Sequence, residues 1–312
     1  METLLLSALF GLIIAGVSAP YETLGWWAGW YGDEPGKVEV PGPLTPSAAG
    51  HFVVYLSGIG VSSAEAYSPL ERRFLRELKK ELESAELVTD VFPYSSRNHA
   101  LTGQRMFAWL WRRLDRLRGR GRLSALSFLI NLRNFWQVLV SSDARFGPLY
   151  NYASSELIYA TLLAHGYRVG SGVPVTLIGY SGGGQIALGA AGPLKHALRA
   201  PVHIVSLGGV MSSNEEVLEL DSLTHLYGAK DGTQRLGYIM FPQRWPVMVH
   251  TPWNRARQRG IIRRVPMGPV GHTGRGGYLD PKTRLDSGES FLEQTLRTVV
   301  SLIEGAERGE RF

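Results

Sequence analysis

The chain has 312 residues, with 44% apolar composition and a mean hydropathy of −0.05. That describes a globular protein with a sizeable core, and excludes collagen-like, low-complexity and solenoid architectures. It has no cysteine, which excludes disulfides, thiolate metal sites and a cysteine nucleophile. A formal net charge of +6, from 33 basic and 27 acidic residues, is modest and gives no reason to expect a nucleic-acid partner.

Thr3 to Ala19 is an apolar run without charge, followed by Pro20 and the aromatics Trp26, Trp27, Trp30 and Tyr31. A cleaved leader expects a basic start, and this chain starts Met1-Glu2. A core helix expects a polar face. The favoured reading for residues 1–31 is an uncleaved N-terminal hydrophobic helix that anchors the chain to a membrane, with tryptophans at the interface. Nothing nearby sets its orientation. Residues 32–50 are rich in proline and glycine and read as a linker.

From residue 51 the texture changes. His51 to Leu56 is a short apolar strand ending at Ser57-Gly58-Ile59-Gly60. Pro69 to Ala85 has helical spacing, and Leu87 to Phe92 reads as a strand. Ala100 to about Val140 mixes tryptophans and leucines with arginines, and reads as two helices joined near Gly119-Arg120-Gly121. Ser154 to His165 is predicted helical, Pro174 to Ile178 a strand, and Gln185 to Ala191 a helix. Val202 to Leu207, Leu223 to Tyr227 and Ile261 to Val265 are further strands, and Phe291 to Ile303 is a closing amphipathic helix. Strands alternating with helices predict an α/β fold, a mostly parallel sheet with helices on both faces, over residues 51–312.

The strongest local signal is an apolar strand, then Gly179-Tyr180-Ser181-Gly182-Gly183, then a helix. A serine hydroxyl is a weak nucleophile and needs exposure, tight positioning and a base. A sharp strand-to-helix turn flanked by glycines supplies the first two. The Gly-Lys-Ser or Gly-Lys-Thr of a phosphate-binding Walker loop is absent. The stretch resembles the nucleophile elbow of the α/β-hydrolase superfamily, close to lipase and esterase variants. The resemblance covers roughly His51 to Ile303; it does not reach the first fifty residues or the arginine-rich segment.

The resemblance implies an acid and then a histidine after Ser181 in chain order. Asp231, in Gly228-Ala229-Lys230-Asp231-Gly232 after a strand, fits the acid; Asp221 precedes that strand and fits less well. His272, in Gly271-His272-Thr273-Gly274 after the last strand, fits the base. His51, His99, His165, His225 and His250 sit in strands, helices or connections that suit the role less. The oxyanion donors it implies are the N–H of Gly182 and one from Ile59 or Gly60. No metal or cofactor is implied.

The long connection at about 100–150 is expected to form a helical lid, either basic and membrane-facing or a hairpin with solvated arginines. Tyr238 to Trp253 is an aromatic stretch expected to line an acyl pocket or to fill core. The expected activity is a serine hydrolase cleaving an ester or thioester of a hydrophobic acyl group, associated with a membrane. A non-catalytic interaction protein on the same scaffold is the alternative, and the superfamily also holds amidases, acyltransferases and peptidases.

Overall fold

The computed structural model describes residues 45–96, 98–101 and 124–309, with isolated positions among the first 29 residues. Six strands form one wholly parallel sheet in the order β2-β1-β3-β4-β5-β6. They are β1 (His51–Leu56), β2 (Ala85–Val88), β3 (Val175–Tyr180), β4 (Val202–Leu207), β5 (Ser222–Tyr227) and β6 (Ile262–Pro266). The helices are α1 (Pro69–Glu81), α2 (Ser124–Ser142), α3 (Gly147–Ala164), α4 (Gly183–Leu198), α5 (Gly232–Met240), α6 (Pro252–Gln258) and α7 (Phe291–Glu307).

The central strands are apolar on both faces, as a sheet covered on both sides requires. Val53 and Tyr55 of β1 join a core layer with Phe74 and Leu78 of α1 and Val299 and Ile303 of α7. Phe52, Val54 and Leu56 of the same strand join the opposite layer, with Ile158 of α3, Leu188 of α4 and Trp253 of α6. Helix starts follow local chemistry. Ser68 and Glu71 close a capping box on α1, with Pro69 in the first turn, and Ser290 and Glu293 do the same on α7.

The expected α/β class holds, with corrections at the boundaries. α1 stops at Glu81 and β2 begins at Ala85, because the chain turns at Leu82 to pair with β1. α3 starts at Gly147, well before Ser154, and α4 continues through Pro193 to Leu198. α5 and α6 replace what reads in sequence as an aromatic stretch. Of the arginine-rich connection, α2 is its second expected helix; residues 102–123 lie outside the described residues. So does most of Thr3 to Ala19, and with it the expected hydrophobic helix. Among the described residues no helix is long and apolar enough to cross a membrane.

The strand order locates a site before any side chain is considered. From β1 the chain steps outward to β2, then returns to β3 on the other side of β1. The loops after β1 and β3 therefore diverge above adjacent strands and leave a crevice at the carboxyl edge of the sheet.

Candidate active site

Ser181 follows the last residue of β3 and opens into that crevice. Its φ of 53° is left-handed, a strained conformation for a residue with a Cβ. The surroundings impose it. Ser181 N–H donates to Leu207 O (3.0 Å), while Gly184 N–H (3.1 Å) and Val210 N–H (3.3 Å) donate to Ser181 O. The turn closes only around glycine. A Cβ on Gly179 would lie 2.6 Å from the Gly184 Cα. One on Gly183 would press into Leu56 O and sit 2.7 Å from Ser57 O.

Asp231 and His272 come from the loops after β5 and β6. Backbone bonds from Ala229 N–H to Gly268 O (2.8 Å) and Lys230 N–H to Val270 O (3.1 Å) tie these loops together. The Asp231 Oδ2 lies 2.9 Å from His272 Nδ1, and His272 Nε2 lies 2.8 Å from Ser181 Oγ. An ionised carboxylate only accepts, so Nδ1 carries the proton and Nε2 accepts from the serine hydroxyl. The structure thus brings together the three residues singled out in sequence, in one hydrogen-bonded row.

Asp231 is fully buried and is also the N-cap of α5, accepting from Gln234 N–H (2.9 Å). Tyr278 Oη donates to its Oδ2 (2.9 Å). Burial pushes the Asp231 pKa up, but the bonds from His272, Gln234 N–H and Tyr278 outweigh it and hold the carboxyl below its ordinary range. The histidine is held from the other side by the elbow itself. Tyr180 stacks on the His272 ring at 5.8 Å between centroids, and its hydroxyl donates to His272 O (2.8 Å).

The β1 loop passes directly over the serine, for a Cβ on Gly58 would lie 3.4 Å from the Ser181 Cβ. A Cβ on Gly182 would meet Ile59 Cγ2 (2.7 Å), Val138 Cγ2 of α2 (2.9 Å) and Tyr94 Oη (3.1 Å), so these groups crowd the residue after Ser181. Gly60 is turned toward Asn131 of α2. Among the described residues, no backbone carbonyl accepts from the N–H of Ile59, Gly60 or Gly182. Two groups fasten the loop. Tyr94 Oη donates to Ser57 O (2.8 Å), and the buried Asn134 donates to Ile59 O (2.8 Å) and Val61 O (2.7 Å). Arg133 in turn donates to Tyr94 O.

The other candidates lie elsewhere. Asp221 accepts from Val202 N–H and pairs with Lys195, at the amino edge of the sheet. His51 bonds Thr176 there, and burial lowers its pKa to about 3. His225 is buried between Ser206 and Gln234, and burial lowers it likewise to about 3. His165 bridges Glu86 and Asp90. A cavity of about 530 Å³ at the amino edge includes Ser222 and His203, hydrogen-bonded at 2.8 Å. Ser222 sits in a regular strand, and the neighbouring Asp221 is spent on Lys195 and Val202, so the pair has neither elbow nor orienting acid. Among the described residues no group of three His, Asp or Glu could hold a metal ion.

Sequence reasoning missed Tyr278, Tyr94, Arg133 and Asn134. Each acts through one or two long-range polar contacts from irregular chain or from α2, and no periodicity or short motif marks such residues.

No family model and no curated protein sequence matches the chain. Among solved structures the chain is similar to one from Lactobacillus plantarum WCFS1, named as that of a candidate cell surface hydrolase. The identity is 13%, the TM-score 0.34, and the match covers 85% of this chain and 94% of that one.

Proposed function

We propose that this chain is a serine hydrolase of the α/β-hydrolase kind, cleaving an ester or thioester of an apolar acyl group. The observation that carries the reading is the unbroken row Ser181 Oγ, His272 Nε2, His272 Nδ1, Asp231 Oδ2, with the serine strained at the head of the crevice.

In this reading His272 takes the proton as Ser181 Oγ bonds to the substrate carbonyl carbon. The carbonyl electrons move to oxygen, where the N–H groups of Gly182 and Ile59 hold the oxyanion. As the carbon–leaving-group bond breaks, His272 returns the proton to the departing alcohol or thiol. Water, deprotonated by the same ring, then attacks the acyl carbon; the bond to Ser181 Oγ breaks, His272 returns the proton to that oxygen, and the acid leaves. Asp231 keeps the imidazole in the required tautomer and stabilises its charged form. The apolar acyl group is supported by Ile59 and Val138 beside Gly182, where the one polar neighbour, Tyr94 Oη, already donates to Ser57 O.

The test is covalent labelling of the full chain with a fluorophosphonate, alongside hydrolysis of nitrophenyl esters of increasing acyl length. Labelling lost in Ser181→Ala and in His272→Ala, with folding intact, is expected. A well-folded native chain that takes no label overturns the reading and favours a non-catalytic scaffold.

A further inference from the structure

We propose that the rim formed by α5, α6 and the turn between them docks the protein on an anionic lipid surface. This rim begins at the active site, since Asp231 caps α5. It is also turned inside out. Arg244 is buried, with its guanidinium 4.0 Å over the Trp253 ring and a bond to Met211 O (2.8 Å). Around it Leu236, Trp245, Met248 and Val249 are exposed, and Ile239 and Val247 show 73% and 76% of their surface to solvent.

The exposure is held in place by the backbone. Asn254, itself buried, donates to Trp245 O (2.8 Å) and Met248 O (3.0 Å). Thr251 Oγ bonds Gln243 O (2.7 Å), and Trp245 Nε1 bonds Tyr238 O (2.6 Å). A hydrogen-bonded turn thus presents a continuous run of large apolar side chains, Trp245 to Val249 around Pro246. Soluble surfaces rarely keep such a patch unless something covers it.

Charge decides what covers it. Between Asp231 and Asp280 the chain holds no acidic residue. It holds six exposed arginines: Arg235 on α5, Arg255 and Arg257 on α6, and, beyond those helices, Arg259 at the amino-edge cavity, Arg263 in β6 and Arg275 in the histidine loop. Among the described residues none of these six pairs with a carboxylate. Two such surfaces repel each other, which argues against a second copy of the chain. An anionic bilayer takes the arginines of α5 and α6 at its headgroups while tryptophan and aliphatic side chains enter the boundary below. The surface is independent of the expected anchor at Thr3 to Ala19 and of catalysis.

The absence of cysteine allows a clean probe. Val247→Cys carries a polarity-sensitive fluorophore in the full chain. Val169→Cys, in the exposed loop before β3 at the other edge of the sheet, is the control. Vesicles are phosphatidylcholine alone or mixed with phosphatidylglycerol. The Val247 label is expected to shift blue and lose access to an aqueous quencher only on the mixed vesicles, while the Val169 label stays accessible. Arg235→Glu with Arg255→Glu is expected to weaken partitioning by roughly tenfold or more.

A Val247 label that stays in water while the chain binds vesicles overturns the proposal, because attachment then runs through another segment. So does equal insertion on neutral vesicles that is insensitive to the arginine reversals. A label already shielded in the lipid-free protein overturns it too, since the patch is then covered by this chain, a second copy or another protein. None of these outcomes touches fluorophosphonate labelling in solution, so the proposed catalysis stands or falls separately.

Discussion

Asn134 offers the sharpest perturbation, because it contacts no reacting atom. Its amide is fully buried and donates to the carbonyls of Ile59 and Val61, one on each side of Gly60. Asn134→Ala strands one buried and one part-buried acceptor, at roughly 1–3 kcal/mol for the buried one and less for the other, so a loss of about 2–4 kcal/mol of stability is expected. Outright removal of an oxyanion donor lowers kcat by roughly 100- to 1000-fold. Loosening the loop that carries Ile59 N–H is a smaller insult, about 10- to 100-fold. In the proposed mechanism that donor acts on charge that develops only in the transition state, so kcat is expected to fall while KM holds. Asn134→Asp, with the same shape but oxygens facing both carbonyls, is expected to be worse on both counts. Urea denaturation gives the stability, and steady-state hydrolysis of a short nitrophenyl ester gives the split. A stable fraction of Asn134→Ala with native kcat would refute the reasoning and leave Asn134 a purely structural residue.

Tyr278→Phe removes a donor to Asp231 and an acceptor for Gly228 N–H, so the Asp231 pKa rises from its lowered position. The acid limb of the rate–pH profile is expected to move to higher pH; an unmoved limb counts against the role. Gly183→Ala forces a methyl against Leu56 O and Ser57 O and is expected to destabilise by about 3 kcal/mol or more, measured by thermal melting. Gly232→Ala, with open space around its Cβ in the first turn of α5, is expected to be neutral or stabilising in the same melt. His165 has its pKa raised to about 9, chiefly by its bond to Asp90, against burial, with Glu86 adding to it. The pair therefore stabilises the fold fully below about pH 6.5 and loses this as pH rises through about 9. With its partners partly exposed, the contribution is about 1 kcal/mol. A stability difference between native and His165→Gln proteins that did not shrink from pH 6 to pH 10 would contradict this.

The central strands were legible because they are short, mostly apolar runs, and both their faces are buried. β1 and β4 fall on the expected residues. The helices strayed where packing overrode local preference. In sequence α4 reads only as a helix over Gln185 to Ala191, and Gly192-Pro193 follows. Proline removes only one bond of the helical ladder, and α4 is buried along most of its length between the sheet and α3. Small residues on α4 let α3 approach until the Asn151 amide occupies the place a Cβ on Gly189 would take. That closeness favours continuation more than one missing bond opposes it.

The site was legible wherever backbone geometry demanded a residue type. Ser181, Asp231 and His272 each follow a strand, in loops whose glycines admit close approach. What stayed hidden is what holds those loops. Tyr278 reaches Asp231 from the far side of the histidine loop, and Asn134 reaches Ile59 from α2. These contacts exist because the sheet sets distant segments side by side, the loops after β5 and β6 for Tyr278 and the loop after β1 beside α2 for Asn134, and no window of sequence contains that adjacency. The stretch from Tyr238 to Trp253 misleads for a different reason. Its aromatics and valines invite a core reading, yet Arg244 went inside and Val247 outside. A buried guanidinium stacked on Trp253 and Tyr238 tolerates desolvation better than an ammonium would, which lets an arginine serve as the anchor. Burial still lowers its pKa to about 10, so the desolvation is real. A fold that accepts this strain and leaves Ile239 and Val247 in water runs against hydrophobic ordering at both ends of one segment. Local rules fail together in this way where a surface is shaped for contact with something other than water.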